Sequence, residues 1–396
     1  MTHKTRSLFP TDRPKRPHHP TMGQVGFCLM STFCFILVLR NSDAAIEYMG
    51  RGLTLCARTV IPSLFPFMVI SELLVSSGAG EAFGRLFSRI MRWLFGLSGA
   101  GASAVFLGSM CGFPVGARTA VALLDRNAIS KAECEHLLTF TNNPSSAFLI
   151  TAVGVSLYGN RHLGMVLYGT VLGCGFLVGF LARFFLRRSD EPVEHPHFPS
   201  GLHLGGVETF TSAVSGAATG MLTVCAYVIF FSALTGALGC AVADTGQLGE
   251  MGYTLLSGIL EMTGGISLAS TLTKGEWGLI LTAIFAGWSG ISVHCQVMTL
   301  CGGRGLSFKP YLIAKGAQGL LCGGVMAAIL TLKPDWINSA EGAVMDAILA
   351  FTSLRDISIP ALLTDGIFVI GWILSRLGGG KMLNCSFPAT TPSQGR

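Results

Sequence analysis

Gly108-Ser-Met-Cys111-Gly112-Phe113-Pro114-Val115-Gly116-Ala117-Arg118 and Ala286-Gly-Trp-Ser289-Gly290-Ile291-Ser292-Val293-His294-Cys295-Gln296 read as two copies of one device. Each is a small, polar, Gly-centred break inside an apolar run too long for a soluble core. Within a bilayer every backbone amide must be bonded by protein, so an irregular break survives only where protein buries it or water lines it. Two such breaks, one in each half of the chain, predict a transporter built from repeats, with its site at the breaks. The plainer alternative is a kinked structural helix, which a pair of breaks at matching places disfavours.

Composition sets the class. Half of the residues are hydrophobic and only 12% are charged, with a mean hydropathy of +0.58. Soluble domains carry about 25% charged residues. A polytopic membrane protein follows, and a chain of 396 residues has room for about eight to ten spanning or re-entrant segments of ~20 residues. The 51 glycines fit closely packed transmembrane helices. The net charge of +6 is too small to argue for nucleic acid as a partner and instead reports topology. The twelve cysteines include no CxxC pair, and no His/Cys cluster has metal spacing, so they read as small buried hydrophobes and no metal or cofactor is expected.

The layout follows from runs and breaks. Residues 1–23 are basic and proline-rich and are expected to be a disordered cytoplasmic tail. Residues 24–40 read as a transmembrane anchor, because Arg40 and the lack of a small-x-small site argue against a cleaved signal. The first transporter repeat is assigned to 43–186, a cytoplasmic linker to 187–206, and the second repeat to 207–332. An amphipathic segment and a terminal span fill 333–376, and 377–396 form a disordered tail. Within the first repeat, Pro62 and Pro66 are expected to bend or break their span. An offset of 178 residues sets Gly112 on Gly290, and it matches the Arg-rich 83–96 with the acidic 244–273. Opposite charge on matched segments suggests opposite faces, hence inverted repeats in an all-α fold, each with a re-entrant helical hairpin and a broken helix.

Half-helices meeting at a tip aim unpaired N–H and C=O groups at one point and supply partial charge without ionised side chains. The expected substrate site therefore holds Cys111, Gly112, Phe113 and Pro114 from one break, and Ser289, Gly290, Ser292, His294 and Gln296 from the other. Thr141, Asn142 and Asn143 join it, since adjacent amides in a membrane segment are costly unless bonded. They can bind substrate, hold a coupling cation through their carbonyl oxygens, or tie the unwound turn to the hairpin. Gln318 falls near the counterpart of that Asn-Asn-Pro stretch. Arg118, His294 and Lys315 sit near the breaks, and if they converge they make a cationic pocket suited to a carboxylate. Glu72 and Glu261 are candidates for coupling a proton or cation. No Gly-Lys-Ser/Thr loop, His-Glu-x-x-His or Gly-x-Ser-x-Gly points to an enzyme. The expected partners are a small-molecule substrate and the lipid bilayer, with a homo-oligomer left open.

Phe65-Pro66-Phe67, residues 112–117, Phe140-Thr141-Asn142-Asn143, residues 260–266 and residues 290–296 resemble the YlbJ family of sporulation integral membrane proteins, in the same order over about residues 43–376. That family carries the nucleoside-recognition Gate domain and resembles concentrative nucleoside transporters in having paired hairpins and unwound helices. The resemblance implies a multi-pass membrane location, in sporulating cells the outer forespore membrane, and transport of dipicolinic acid there. Pro144 after the two asparagines departs from the small polar residue expected at that place.

Overall fold

The computed structural model describes residues 22–76, 79–186, 206–242, 246–272 and 275–332. The expectations for most of the N-terminal tail, for nearly all of the 187–206 linker and for everything after residue 332 fall outside these residues. Among the described residues the chain is entirely helical: α1 Met22–Arg40, α2 Ser42–Leu55, α3 Ile61–Ser76, α4 Ala79–Ile90, α5 Ala102–Cys111, α6 Val115–Asp125, α7 Lys131–Thr141, α8 Arg161–Phe185, α9 Val207–Val242, α10 Gly246–Leu260, α11 Met262–Leu272, α12 Glu276–Trp288, α13 Gly290–Cys301 and α14 Lys309–Leu332. A π-helical stretch, Ala147–Leu157, follows α7.

Four helices are long and apolar enough to cross a membrane, or up to six when each of two sharply bent pairs is taken as one span. Phe27, Leu29, Phe33 and Phe35 of α1 and Ile313 and Leu320 of α14 are exposed. A bilayer covers apolar faces of this kind, which water would not tolerate over such an area.

The expected break at the prolines does not interrupt the helix. Pro66 lies inside a continuous α3. A π-helical turn at Cys56–Val60 precedes it, and the Ile61 amide there reaches back to the Cys56 carbonyl. A widened turn just upstream takes up the backbone mismatch around Pro62.

Two hairpins fold back on themselves. In α5–α6, a Cβ on Gly108 would lie 2.9 Å from the Gly116 Cα. In α10–α11, a Cβ on Gly265 would collide with the Gly258 backbone. The turns fall at Gly112-Phe113-Pro114 and at Glu261. The expectation that Ser289–Gly290 forms a hairpin tip is therefore corrected, because α12 and α13 continue one another in a single span, Glu276–Cys301. Another break follows α7, where the chain leaves the helix at Asn142 and enters the π-helix at Ala147. The ends Cys111 and Thr141 and the starts Val115 and Arg161 stand 149, 147, 147 and 148 residues before Leu260, Trp288, Met262 and Lys309.

Loop contacts gather the helix ends. Arg304 pairs with Asp125 at 2.7 Å, the Ser307 amide donates to Glu135 at 2.6 Å, and the Ser98 amide donates to Glu133 at 2.8 Å. Arg183 near the end of α8 donates to the Trp93 carbonyl at 2.6 Å. One end of the bundle thus holds 91–98, 125–135, the end of α8 and the 302–308 loop. The hydrogen bonds from Arg304 hold the Asp125 carboxyl below the usual carboxylate range, against a smaller opposing effect of burial. A lowered folded value makes this pair's contribution present above the ordinary aspartate pKa and lost as pH falls through the lowered one. Because α7 starts at this end and α13 finishes there, α12 starts at the opposite end. Tyr158, at the end of the π-helix, meets Thr282 of α12 at 2.8 Å on that opposite side.

Candidate functional site

α7 is built to stop in the middle of the protein. Ser130 and Glu133 form a reciprocal capping box at its start. Its end is set by Pro144, which has no N–H and disfavours helical backbone at Asn143. The carbonyls and amides freed there meet the first hairpin tip. The Phe113 amide donates to the Asn143 carbonyl at 2.7 Å, and a Cβ on Gly112 would lie 2.8 Å from the Ser145 Cα.

Around this junction lies a fully buried polar network. Asn142, Asn143, Lys315 and Gln318 all have no exposed surface. Lys315 Nζ donates to the Asn142 carbonyl at 2.9 Å, to Gln318 Oε1 at 2.8 Å and more weakly to Asn143 Oδ1 at 3.4 Å. Gln318 Nε2 donates to Asn143 Oδ1 at 2.8 Å and to the Val171 carbonyl at 3.0 Å. Asn143 Nδ2 donates to the Phe140 carbonyl at 2.7 Å. Among the described residues no ion pair includes Lys315.

A second chain of bonds runs towards the other break. Asn142 Nδ2 donates to the Tyr311 hydroxyl at 3.2 Å, and that hydroxyl lies 2.9 Å from His294 Nδ1. A phenol both donates and accepts, so this contact joins Asn142, Tyr311 and His294 in one chain with either tautomer of the imidazole. Trp288 holds the ring edge-on at 4.3 Å between centroids. His294 Nε2, Asn142 Oδ1, Ser292 Oγ and Gln296 Oε1 are buried and without a hydrogen-bond partner. Native interiors leave few such groups, and each calls for an explanation.

The second break abuts the second hairpin turn. Ser289 and Gly290 both have positive φ, 74° and 83°, and a Cβ on Gly290 would lie 2.9 Å from the Met262 amide. Glu261 accepts from the Thr263 and Gly264 amides at 2.9 and 2.6 Å. Its carboxylate caps the start of α11 and is already engaged.

The expected site residues divide accordingly. Cys111, Gly112, Phe113 and Pro114 occupy the first hairpin turn, against Asn143 and Ser145. Asn142, Asn143, Gln318 and His294 share one bonded network. Thr141 turns its hydroxyl back to the Leu137 carbonyl at 2.9 Å. Arg118 stands apart from this network: it pairs with Glu72 on α3 at 3.1 Å and lies against α9 at Gly216 and Gly220. Its charge and that of Glu72 balance one another, so of the three expected cationic residues Arg118 pairs elsewhere, while His294 and Lys315 belong to the one network. Tyr311, which links the two breaks, was not legible as a site residue. Lys315 was expected only as one of three cations, although a lysine in the middle of an apolar 24-residue helix is by itself a functional signal. Among the described residues no three His, Cys, Asp or Glu side chains converge to hold a metal ion.

A family profile described as nucleoside recognition, the Gate domain, matches residues 57–239. That stretch contains the first hairpin and the first break. The chain is also 28% identical over 332 residues to the sporulation integral membrane protein YlbJ of Bacillus subtilis (strain 168), covering 76% of this chain and 81% of that protein. No solved structure matches. With its apolar spans and this alignment, the chain is a multi-pass membrane protein that is similar to the Gate domain over residues 57–239 and to the sporulation protein YlbJ over most of its length.

Proposed function

We propose that the protein moves a small polar organic molecule across the membrane by alternating access, with the substrate held at the two helix breaks. The reading takes the segments from α5 to α8 and from α10 to α14 as two inverted repeats, lying within the 43–186 and 207–332 units. Each would bring a re-entrant hairpin, α5–α6 or α10–α11, to a broken helix. Its support is the displacement of 147–149 residues between their ends, together with the opposite starting ends of α7 and α12. The transport reading is carried by one observation: a buried polar network with an uncompensated lysine joins both breaks. Backbone interrupted at membrane depth and lined by such groups is where transporters bind their substrates.

The charge favours an anion. The network holds the Lys315 ammonium and, among the described residues, no carboxylate hydrogen-bonded to it. A dicarboxylate fits this better than a neutral nucleoside, and by resemblance the substrate is dipicolinate, carried during sporulation. Uptake into proteoliposomes tests it: dipicolinate is expected to accumulate at least tenfold faster than uridine. The reverse preference would make the protein a nucleoside carrier, and no uptake of either would favour a membrane assembly role.

Orientation gives a separate expectation. Arg92, Arg126, Lys131, Arg183 and Arg304 belong to the end of the bundle described above, which the positive-inside rule places in the cytoplasm. In a background without native cysteines, a cysteine at Gly305 should be protected from an impermeant maleimide added outside, while one at Gly159 is labelled. The opposite pattern would reverse the topology.

A further inference from the structure

The amide orientations around Lys315 are fixed by bonds that do not involve it. Gln318 Nε2 is committed to Asn143 Oδ1 and the Val171 carbonyl, which turns Gln318 Oε1 towards the lysine. Asn143 Nδ2 is committed to the Phe140 carbonyl, which turns Asn143 Oδ1 the same way. The remaining oxygen is the main-chain carbonyl of Asn142, released because α7 ends there. A neutral amine has two N–H groups and a lone pair, whereas an ammonium has three N–H groups and no acceptor. Three oxygens and no donor facing Nζ therefore match the ammonium.

None of those oxygens carries a formal charge. They are two amide carbonyls and one backbone carbonyl at the C-terminal end of a half-helix, where the helix dipole is negative. This is the donor set with which unwound transporter helices hold a coupling cation. Here the position is filled by a side chain from α14, 173 residues away from Asn142. We propose that Lys315 is a tethered cation: its ammonium occupies the cation position of the first helix break, so that this site needs no sodium or other inorganic cation. The proposal deepens the transport reading, on which its meaning for coupling rests. The occupancy itself is a property of the folded protein and is measured without transport.

The test uses the full chain purified in detergent, with thermal unfolding as the readout. Sodium chloride is titrated against choline chloride at constant ionic strength. The wild type is expected to melt at the same temperature in both. Lys315→Ala removes three methylene groups and the ammonium, so it is expected to melt several degrees lower in choline. Sodium, or n-propylammonium, which replaces the deleted atoms, is expected to restore it saturably. Lys315→Met fills the same space without charge and is expected to gain nothing from n-propylammonium. Saturable stabilisation of the wild type by sodium would overturn the proposal. So would a folded Lys315→Ala protein that responds to neither cation, or equal rescue of both variants. If Lys315→Ala does not fold, the wild-type titration decides: a flat response supports the tethered cation and a saturable one refutes it. Loss of dipicolinate uptake with this pattern intact would refute the substrate and leave the tethered cation standing.

Discussion

Asn143→Leu is expected to be among the most destabilising single substitutions in the chain. Leucine has nearly the same volume, so packing alone would make the change mild. The hydrogen bonds decide otherwise. Asn143 Oδ1 accepts from Gln318 Nε2 and from the Lys315 ammonium, and Nδ2 satisfies the Phe140 carbonyl. All three polar side chains are without exposed surface, so water does not replace what is lost. An unsatisfied buried donor costs about 1–3 kcal/mol, and more when it is charged. Weakening the surroundings of a buried cation raises the total towards ~3–5 kcal/mol. Asn143→Asp keeps an oxygen towards Lys315 and Gln318 but sets its second oxygen against the Phe140 carbonyl; its charge pairs with the Lys315 ammonium, so it should retain more stability than the leucine variant. Thermal unfolding of the two purified variants checks the order. A leucine variant that melts within a degree or two of the wild type would show that the network is not what holds the first break.

How much of this was legible in the sequence depends on the range of the interaction. The membrane class, the helical fold and the interruption around Asn142-Asn143-Pro144 follow from local chemistry: apolar runs, adjacent amides and a proline. The pairing of the breaks did not follow, because Gly112 and Gly290 look alike and do different work. Gly112 turns a hairpin, while Gly290 restarts a helix beside the other hairpin's turn. Under the proposed repeat, the counterpart of Gly112-Phe113-Pro114 is Glu261, where a carboxylate caps its own helix in place of a glycine-proline turn. Chemically unlike segments in one structural role cannot be aligned by residue type. Arg118 was misjudged for the same reason: its partner Glu72 lies 46 positions away, on α3. Lys315 is visible as a charge in an apolar helix, but two of the three oxygens around it come from Asn142 and Asn143, more than 170 positions earlier, and only Gln318 is its neighbour on the helix.

The second large effect is expected at Gly112, and three glycines with positive φ separate its causes. Gly112 has φ 81° and ψ −172°, a region that only glycine populates readily. Gly290 and Gly159 have φ of 83° and 65°. Alanine is strained at all three, at about 1–3 kcal/mol each. Their surroundings differ. At Gly159 nothing lies within 4 Å of a new Cβ, at Gly290 the Met262 amide lies at 2.9 Å, and at Gly112 the Ser145 backbone and side chain crowd within 2.8 Å. Ser145 follows Pro144 directly and the Phe113 amide is bonded to the Asn143 carbonyl, so neither side of that contact can give way without breaking the junction. Gly159→Ala should therefore cost only its backbone strain and leave uptake near the wild-type rate. Gly290→Ala should lie between, and Gly112→Ala should reduce uptake at least a hundredfold while the protein still inserts. Melting temperature and initial uptake rate, measured on the three variants side by side, read the order. If Gly112→Ala is as mild as Gly159→Ala in both, the hairpin turn is not seated against the broken helix in the working protein, and the site must be sought away from that junction.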